Sequence, residues 1–222
     1  MSIMDIIGPV MVGPSSSHTA GACRIGLFVG GLFGKRWLRA DISLHGSFAA
    51  TGIGHGTQYA LLAGLMGCAP DDERIPRAMD LASQNGLDFK FSVVDMGNVH
   101  PNSVRIALKS GNDTMSVCAS SVGGGRIRVW MVDGFAVDLD GERTTMLVSY
   151  PDRKGMIADI SAIIADARVG IGEMKVHRND LDGTAMMTLT LDQNPPAGIL
   201  DRIRGLRYID MARLVSDLPM GD

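Results

Sequence analysis

The sequence predicts an α+β protein in two regions, a mixed α/β region over residues 1–142 and a smaller ferredoxin-like βαββαβ region over residues 143–222. Three observations support this prediction. The last third of the chain alternates apolar strands with segments of helical periodicity in the order βαββαβ. The longer region before it mixes helical periodicity with alternating strands. A short polar connector at residues 140–143 separates the two regions and marks the predicted boundary.

Each element of the smaller region has its own signal. Apolar runs that end at a proline or a polar turn indicate strands, and apolar side chains at i, i+4 and i+7 indicate helices. In chain order the elements are a strand over residues 144–150, a helix over 155–168, strands over 171–178 and 184–191, a helix carrying Ile199, Leu200, Ile203 and Leu206, and a strand over 209–215.

The larger region is rich in glycine. Glycine makes up 28 of the 222 residues, well above the usual ~7%, and it clusters in short runs. Because glycine permits positive φ and close approach of backbones, such runs predict tight loops around something small. The predicted elements are a helix over residues 15–30, a strand over 40–48, helices over 55–67 and 74–85, and a strand-rich segment over 89–139.

Composition argues against several classes of function. The net charge of −3 and the 5% aromatic content argue against binding of nucleic acids or anionic membranes. No apolar stretch is long enough to span a membrane, and no basic leader with a cleavage site opens the sequence. Cys23, Cys68 and Cys118 are too scattered for a disulfide framework or a zinc site. The sequence therefore predicts a cytoplasmic protein.

The first candidate for chemistry is the run Gly13-Pro14-Ser15-Ser16-Ser17-His18-Thr19, which opens the first predicted helix. A helix N-terminus offers free N–H groups and a partial positive charge, so hydroxyls and an imidazole there can hold a carboxylate or a phosphate. The alternative is an N-cap with surplus serines, and the run alone does not decide between the two. A Ser–His catalytic pair is disfavoured, because residues one or two positions apart do not face each other on a helix.

The second candidate is His55, which has a glycine on each side in the run from Gly52 to Thr57. Its ring packs against little locally and is therefore available to a ligand. The alternative is a glycine-rich loop in which His55 only caps the next helix.

The third candidate is the run His100-Pro101-Asn102, which leads into a predicted strand. Proline stiffens the turn, and Asn102 can orient a carboxylate or an amine. By itself such a run is more often a structural turn. The remaining histidines, His45 and His177, lie on polar strand faces and are expected to be solvated.

Together these motifs resemble those of a known family. In chain order they are GPSSSHTAGACRIG, GSFAATGIGHGT, HPN and SVGGGRI, followed by the ferredoxin-like region. This set covers essentially the whole chain and resembles the β subunit of iron–sulfur-dependent L-serine dehydratases, with GPSSSHT and GHGT as its specific part. The last region, with an Asp-x-x-Gly loop at residues 152–155, resembles an ACT domain, a module that typically binds amino-acid effectors.

The resemblance implies a reaction and a partner. The family eliminates water from L-serine, and tautomerisation and hydrolysis then release pyruvate and ammonia. A [4Fe-4S] cluster acts as Lewis acid on the serine hydroxyl while a base removes the α-proton. In two-chain members a cysteine-rich α subunit carries the cluster and the β subunit completes the active site. The scattered cysteines of this chain agree with that division, so no metal ligand is expected in it.

The resemblance also implies roles for single residues. The expected catalytic residues are His55, Thr57 and His18, with His55 as the candidate base. The expected substrate-binding residues are Ser15, Ser16, Ser17, Thr19, His100 and Asn102, and the expected effector-binding residues are Asp152, Gly155 and Met156. Gln58 stands where other members have an acidic residue after GHGT, which puts one local charge interaction in doubt. An exposed strand edge of the ACT-like region is expected to allow self-association.

A second interpretation stays open, in which the chain is a non-catalytic L-serine-sensing regulatory subunit of another enzyme. It would use the same two regions without a cluster-bearing partner. His18, His55 and His100 argue against it, because an effector site needs no set of three imidazoles. The sequence also leaves open which histidine is the base.

Overall fold

The computed structural model describes residues 10–52, 54–179 and 181–218. These residues form two compact units. The first holds most of the chain up to residue 134 together with residues 138–140, and the second holds residues 135–137 and 141–217. In the part of the chain so described, no helix is both long enough and apolar enough to cross a membrane.

In its described part, the first unit combines a mixed six-stranded sheet with helices that all come before the second strand in the chain. Its elements are a π-helical turn (Ser16–Gly21), α1 (Ala22–Phe33), β1 (Arg39–Leu44), α2 (Gly46–Ala50), α3 (Thr57–Leu65), a 3₁₀ turn (Ile75–Arg77), α4 (Ala78–Gln84), β2 (Asp88–Val93), β3 (Ser103–Ser110), β4 (Asp113–Gly123), β5 (Arg126–Val132) and β6 (Phe135–Leu139), of which residues 138 and 139 belong to this unit. The strand order is β2-β1-β3-β4-β5-β6; β1 runs parallel to β2, while the pairs from β1–β3 to β4–β5 are antiparallel.

Two glycines let α1 and α3 pack backbone against backbone. A Cβ on Gly26 would lie 2.3 Å from the carbonyl oxygen of Leu61, and one on Gly64 would lie 2.0 Å from that of Cys23. Any larger side chain at either position would push the two helices apart. The contact therefore fixes the distance between the segment that precedes α1 and the segment that precedes α3, and each of these carries a candidate histidine.

The predicted strand over residues 40–48 is wrong at its C-terminal end. β1 ends at Leu44, and the short helix α2 follows it. Gly46 has a φ of +55°, and a Cβ there would lie 2.6 Å from the carbonyl oxygen of Pro101. The same oxygen accepts a hydrogen bond from the N–H of Ser47 at 2.8 Å. A long-range contact with Pro101 thus turns the chain out of the sheet, at a glycine that tolerates positive φ.

The second unit has the predicted βαββαβ order. Its elements are β7 (Thr145–Pro151), α5 (Met156–Asp166), β8 (Ile171–Asn179), β9 (Thr184–Leu191), α6 (Ile199–Arg204) and β10 (Met211–Val215). The strands form an antiparallel sheet in the order β10-β7-β9-β8. Apolar side chains of both helices and of the sheet share one core, in which Val148, Ile160 and Leu189 are fully buried. This confirms the predicted α+β fold class with its ferredoxin-like C-terminal region.

Candidate functional site

The π-helical turn presents His18 and Thr19 just before α1. Ser15 has extended backbone, and its Oγ accepts the backbone N–H of His18 at 3.1 Å. The serine run is therefore an N-cap, as its composition suggests. A Cβ on Gly21 would lie 2.0 Å from Oγ of Ser121, so glycine lets the turn lie directly on β4. The turn is thus fixed at its start by the cap and at its end by the sheet.

The loop before α3 brings His55 to the same place. Nδ1 of His55 lies 3.0 Å from the carbonyl oxygen of Thr51. A carbonyl oxygen can only accept, so Nδ1 carries the proton and Nε2 of the neutral ring has the free lone pair. The hydroxyl of Thr19 donates to the backbone oxygen of His55 at 3.1 Å. The ring centroids of His18 and His55 are 5.0 Å apart, with the planes tilted by 39°.

Two hydroxyls that face His18 have no signal in the strand pattern predicted for their segment. Nε2 of His18 lies 3.1 Å from Oγ of Ser47 and 3.1 Å from Oγ1 of Thr51. A serine and a threonine four positions apart share one face of a helix, and this spacing is visible in the segment GSFAAT. Its assignment to a strand obscured the signal.

The surroundings of His18 favour its neutral form. Its ring lies edge-on to Phe48, with centroids 5.4 Å apart. Burial lowers the pKa of His18, the charge of His55 lowers it further, and a backbone hydrogen bond at Ser47 offsets part of the shift. The ring therefore stays neutral to a lower pH than an unperturbed imidazole does.

A cavity of about 370 Å³ opens beside His55. His55 and Thr19 contribute polar groups to its wall, and Pro14, Tyr59 and Ile75 contribute apolar surface. The glycines that line it are Gly13, Gly54 and Gly56. The volume is at the low end of the range for small-molecule sites, which suits a ligand of amino-acid size.

Other residues of the GPSSSHT and GHGT segments do not line this cavity. Ser16 and Ser17 are half-buried in the π-helical turn. Thr57 is fully buried at the first position of α3. Its Oγ1 has no hydrogen-bond partner among the described residues. A buried hydroxyl without a partner is costly, which makes Thr57 a candidate for contact with a bound molecule.

The HPN run reaches the histidine pair only indirectly. Pro101 holds the start of α2, and Ser47 of that helix contacts His18. His100 is exposed, and its Nδ1 accepts the N–H of Asn102 at 3.1 Å. Oδ1 of Asn102 is buried without a hydrogen-bond partner among the described residues. The run supports the site from the side of α2 and does not line the cavity.

The two histidines expected to be solvated are partly buried. The side chain of His45 is 13% exposed, and its Nδ1 accepts the N–H of Met96 at 3.1 Å. His177 is half-buried and lies 3.5 Å from the hydroxyl of Thr188. Burial, followed by the charge of Lys175, lowers the pKa of His177. Both histidines lie in contacts between neighbouring segments that the strand pattern does not show.

The expected effector positions surround the start of α5 in the second unit. Gly155 is the N-cap of α5, with a φ of +97° and open space where a Cβ would lie. Asp152 is exposed and forms an ion pair with Arg178 at 3.1 Å. The side chain of Met156 is 4% exposed and belongs to the core, so only its backbone is left to contact a ligand.

The residues of this chain do not fit an iron–sulfur cluster. Cys23, Cys68 and Cys118 are free, buried thiols. Burial raises the pKa of Cys23 to about 12, with a further contribution from Cys68, and burial also raises the pKa of Cys68 and of Cys118. Cluster ligation requires thiolates. Across residues 10–52, 54–179 and 181–218, no group of three His, Cys, Asp or Glu side chains could hold a metal ion.

Fold and site together define a bipartite chain, in which an α/β unit with a histidine pair beside a small cavity is followed by an ACT domain. Residues 144–207 match the ACT domain family, and residues 2–86 match the family described as Serine dehydratase beta chain. The chain is 40% identical over 216 residues to the "Probable L-serine dehydratase, beta chain" of Bacillus subtilis, covering 97% of this chain and 98% of the relative. It belongs to the serine dehydratase beta chain family.

Two further relatives are similar to this chain, one with the same name and one with a different name. The "L-serine dehydratase, beta chain" of Peptoniphilus asaccharolyticus is 36% identical over 216 residues, covering 96% of this chain and 97% of the relative. The "D-3-phosphoglycerate dehydrogenase" of a Synechocystis species is 27% identical over 182 residues, covering 81% of this chain and 32% of the relative. Similar sequence therefore also occurs as part of a differently named enzyme.

Proposed function

We propose that this chain is the β subunit of an iron–sulfur-dependent L-serine dehydratase, a cytoplasmic lyase that converts L-serine into pyruvate and ammonia. The observation that carries the proposal is the pairing of His18 and His55 beside a cavity of amino-acid size. Near full-length similarity to two chains named L-serine dehydratase, beta chain supports the choice of substrate.

In this proposal L-serine binds in the cavity beside His55. Its carboxylate lies at the N-terminus of α3, which carries partial positive charge. The N–H of Thr57 is already bonded to the carbonyl oxygen of Gly52 at 2.9 Å, so the N–H groups of Gln58 and Tyr59 are the proposed donors. Gly54 and Gly56 leave the backbone accessible on that side. Thr57, at the first position of α3, is buried behind the cavity wall, so its unpartnered hydroxyl would reach the substrate only if the neighbouring loop moves.

His55 is the proposed base. Because its Nδ1 donates to the carbonyl of Thr51, its Nε2 is free to accept the α-proton of L-serine. Loss of that proton from Cα and of hydroxide from Cβ leaves an enamine. The enamine tautomerises to an imine, and water then hydrolyses the imine to pyruvate and ammonia. The neutral ring of His18, 5.0 Å from that of His55, adds no positive charge that would weaken the base.

The iron–sulfur cluster and the regulatory function are proposed to lie outside the histidine site, the cluster in a partner subunit and the regulation in the ACT domain. A cysteine-rich α subunit is proposed to ligate the [4Fe-4S] cluster, because the buried thiols of this chain are unsuited to it. Residues 1–142 are proposed as the part that binds substrate and α subunit, and residues 143–222 as the ACT domain. An amino-acid effector would bind at Asp152, Gly155 and the backbone of Met156, and the ACT sheet edge would allow self-association.

The test is anaerobic pyruvate release from L-serine, by this chain alone and after co-expression with the cysteine-rich chain. Activity is expected only in the pair and should disappear on exposure to oxygen. His55→Gln should lower kcat by about 100-fold or more, while His177→Gln serves as a matched histidine control in the second unit. Turnover of His55→Gln near that of the wild-type pair would refute the assignment of the base.

The second candidate function is L-serine sensing without catalysis. The similarity to part of a D-3-phosphoglycerate dehydrogenase favours it, because there a related segment belongs to an enzyme with a different name. A stable, iron-loaded pair that releases no pyruvate, combined with calorimetric binding of L-serine to this chain, would select sensing over catalysis.

A further inference from the structure

Thr51 contacts both imidazoles of the site through different atoms. Its Oγ1 lies 3.1 Å from Nε2 of His18, and its carbonyl oxygen lies 3.0 Å from Nδ1 of His55. Thr51 is the C-cap of α2, so its position depends on the short helix that Pro101 anchors. One residue of this helix thus connects the two candidate histidines.

The carbonyl contact decides the tautomer of His55. The carbonyl oxygen of Thr51 has no proton to give, so Nδ1 of His55 must donate. The neutral ring then has its free lone pair on Nε2.

The hydroxyl contact decides the tautomer of His18 in the opposite sense. The hydroxyl of Thr51 donates to the carbonyl of Ser47 at 3.0 Å, so its oxygen is left to accept. With Nε2 of His18 unprotonated, two lone pairs would face each other across 3.1 Å. With Nε2 protonated, both Thr51 Oγ1 and Ser47 Oγ accept from it, and the Ser47 hydroxyl can donate to Thr51 Oγ1 at 3.3 Å.

We infer that Thr51 is a positioning residue that holds His18 as the Nε2–H tautomer and His55 as the Nδ1–H tautomer, with Ser47 as a second acceptor for His18. The two rings then present lone pairs on chemically different nitrogens, Nδ1 of His18 and Nε2 of His55. The catalytic part of this inference rests on the proposed function, whereas the tautomers do not.

Nitrogen-15 NMR of the histidine side chains in the full-length chain tests the inference without turnover. Substitutions His18→Gln and His55→Gln assign the signals. Three variants separate the contacts: Thr51→Val removes the hydroxyl and keeps the carbonyl, Thr51→Ser keeps both, and Ser47→Ala removes the second acceptor. Ser83→Ala is the matched control, because the hydroxyl of Ser83 also donates to a carbonyl one helical turn back, at Met79.

Wild-type spectra are expected to show opposite tautomers for the two rings. In Thr51→Val, His18 should shift toward a mixture of tautomers and its pKa should fall, because a protonated ring loses an acceptor. His55 should be unchanged, and Thr51→Ser should restore His18. In the assembled pair, Thr51→Val should lower kcat/KM by about tenfold, the equivalent of one net hydrogen bond, and Thr51→Ser and Ser83→Ala by less than twofold.

The inference fails if wild-type His18 is the Nδ1–H tautomer, or if Thr51→Val leaves its tautomer and pKa unchanged. It also fails if Thr51→Ser behaves like Thr51→Val, since the effect would then belong to the methyl group. Should Thr51→Val not fold, Ser47→Ala must still lower the Nε2–H population of His18. Opposite tautomers in a pair that does not act on L-serine would refute the proposed function and leave the positioning role intact.

Discussion

The close approach of α1 and α3 predicts opposite effects for two glycine substitutions in the same helix. Gly26 faces α3, where a new Cβ would lie 2.3 Å from the carbonyl oxygen of Leu61 and 2.8 Å from the N of Leu65. Gly31, five positions later in α1, is exposed. Gly26→Ala and Gly31→Ala therefore make the same chemical change at a position packed on the α3 backbone and at an exposed position.

The magnitudes follow from two terms. Replacing glycine by alanine inside a helix stabilises it by about 1 kcal/mol in both variants. In Gly26→Ala the added carbon is about 1 Å short of ordinary contact distance, and backbone atoms of α3 cannot rotate away. Overpacking of this kind costs about 3 kcal/mol. Gly26→Ala should therefore be about 2 kcal/mol less stable than wild type, with a Tm about 5–10 °C lower, and Gly31→Ala slightly more stable.

Tryptophan fluorescence reports the unfolding of the first unit, which contains α1 and α3. Trp37 and Trp130 are the two tryptophans of the chain, and both lie in the first unit. Thermal and urea unfolding of the two variants should be compared with wild type by this signal. A Gly26→Ala variant as stable as wild type would refute the close backbone contact. An equal loss in Gly31→Ala would show that α1 needs glycine for another reason.

Three further predictions concern titration, reactivity and a buried hydroxyl. Because burial holds the pKa of His18 below its ordinary value of 6.5, the folded state binds fewer protons than the unfolded chain just below that pH. The urea midpoint of the first unit should therefore fall as the pH is lowered from 6.5 toward the pKa of His18 in the folded state. His18→Gln should remove the part of this pH dependence that comes from His18. The three buried thiols should resist a disulfide reagent such as DTNB in the native chain and react in urea; rapid labelling of Cys23 in the native state would contradict its burial. Tyr150→Phe removes a buried hydroxyl that has no hydrogen-bond partner among the described residues, so calorimetry should find the second unit unchanged or up to about 1 kcal/mol more stable, and a clear loss would mean that the hydroxyl is satisfied.

In the second unit, local sequence patterns predict the helices and strands that the structure contains. The strand predicted over residues 184–191 has the same bounds as β9, and the two predicted helices of that region appear as α5 and α6. Alternating or striped apolar side chains decide these elements, because each packs one face on a single core. The strand predicted over residues 40–48 failed at a different point, where a carbonyl from Pro101 captures the N–H of Ser47.

Local sequence indicates some residues of the candidate site, and tertiary contacts alone bring in the others. His18 and His55 stand in unusual local sequence, a serine run and a glycine-flanked loop, so their residue types alone single them out. Ser47 and Thr51 lie in the motif GSFAATGIGHGT, but their contacts with His18 arise only because α2 places both hydroxyls on one face. His100 and Asn102 have an unusual local sequence, yet they meet the histidine pair only through the backbone of Pro101.

The sequence by itself determined the fold class and the order of elements in the second unit, because side-chain periodicity and local backbone preference act over a few residues. It also singled out His18 and His55 as candidates. Only the tertiary structure decided that the two rings lie 5.0 Å apart. It also decided that Thr51 bonds to both of them and that glycines let α1 and α3 touch. These distances arise from packing between segments far apart in the chain, and no local pattern encodes such packing.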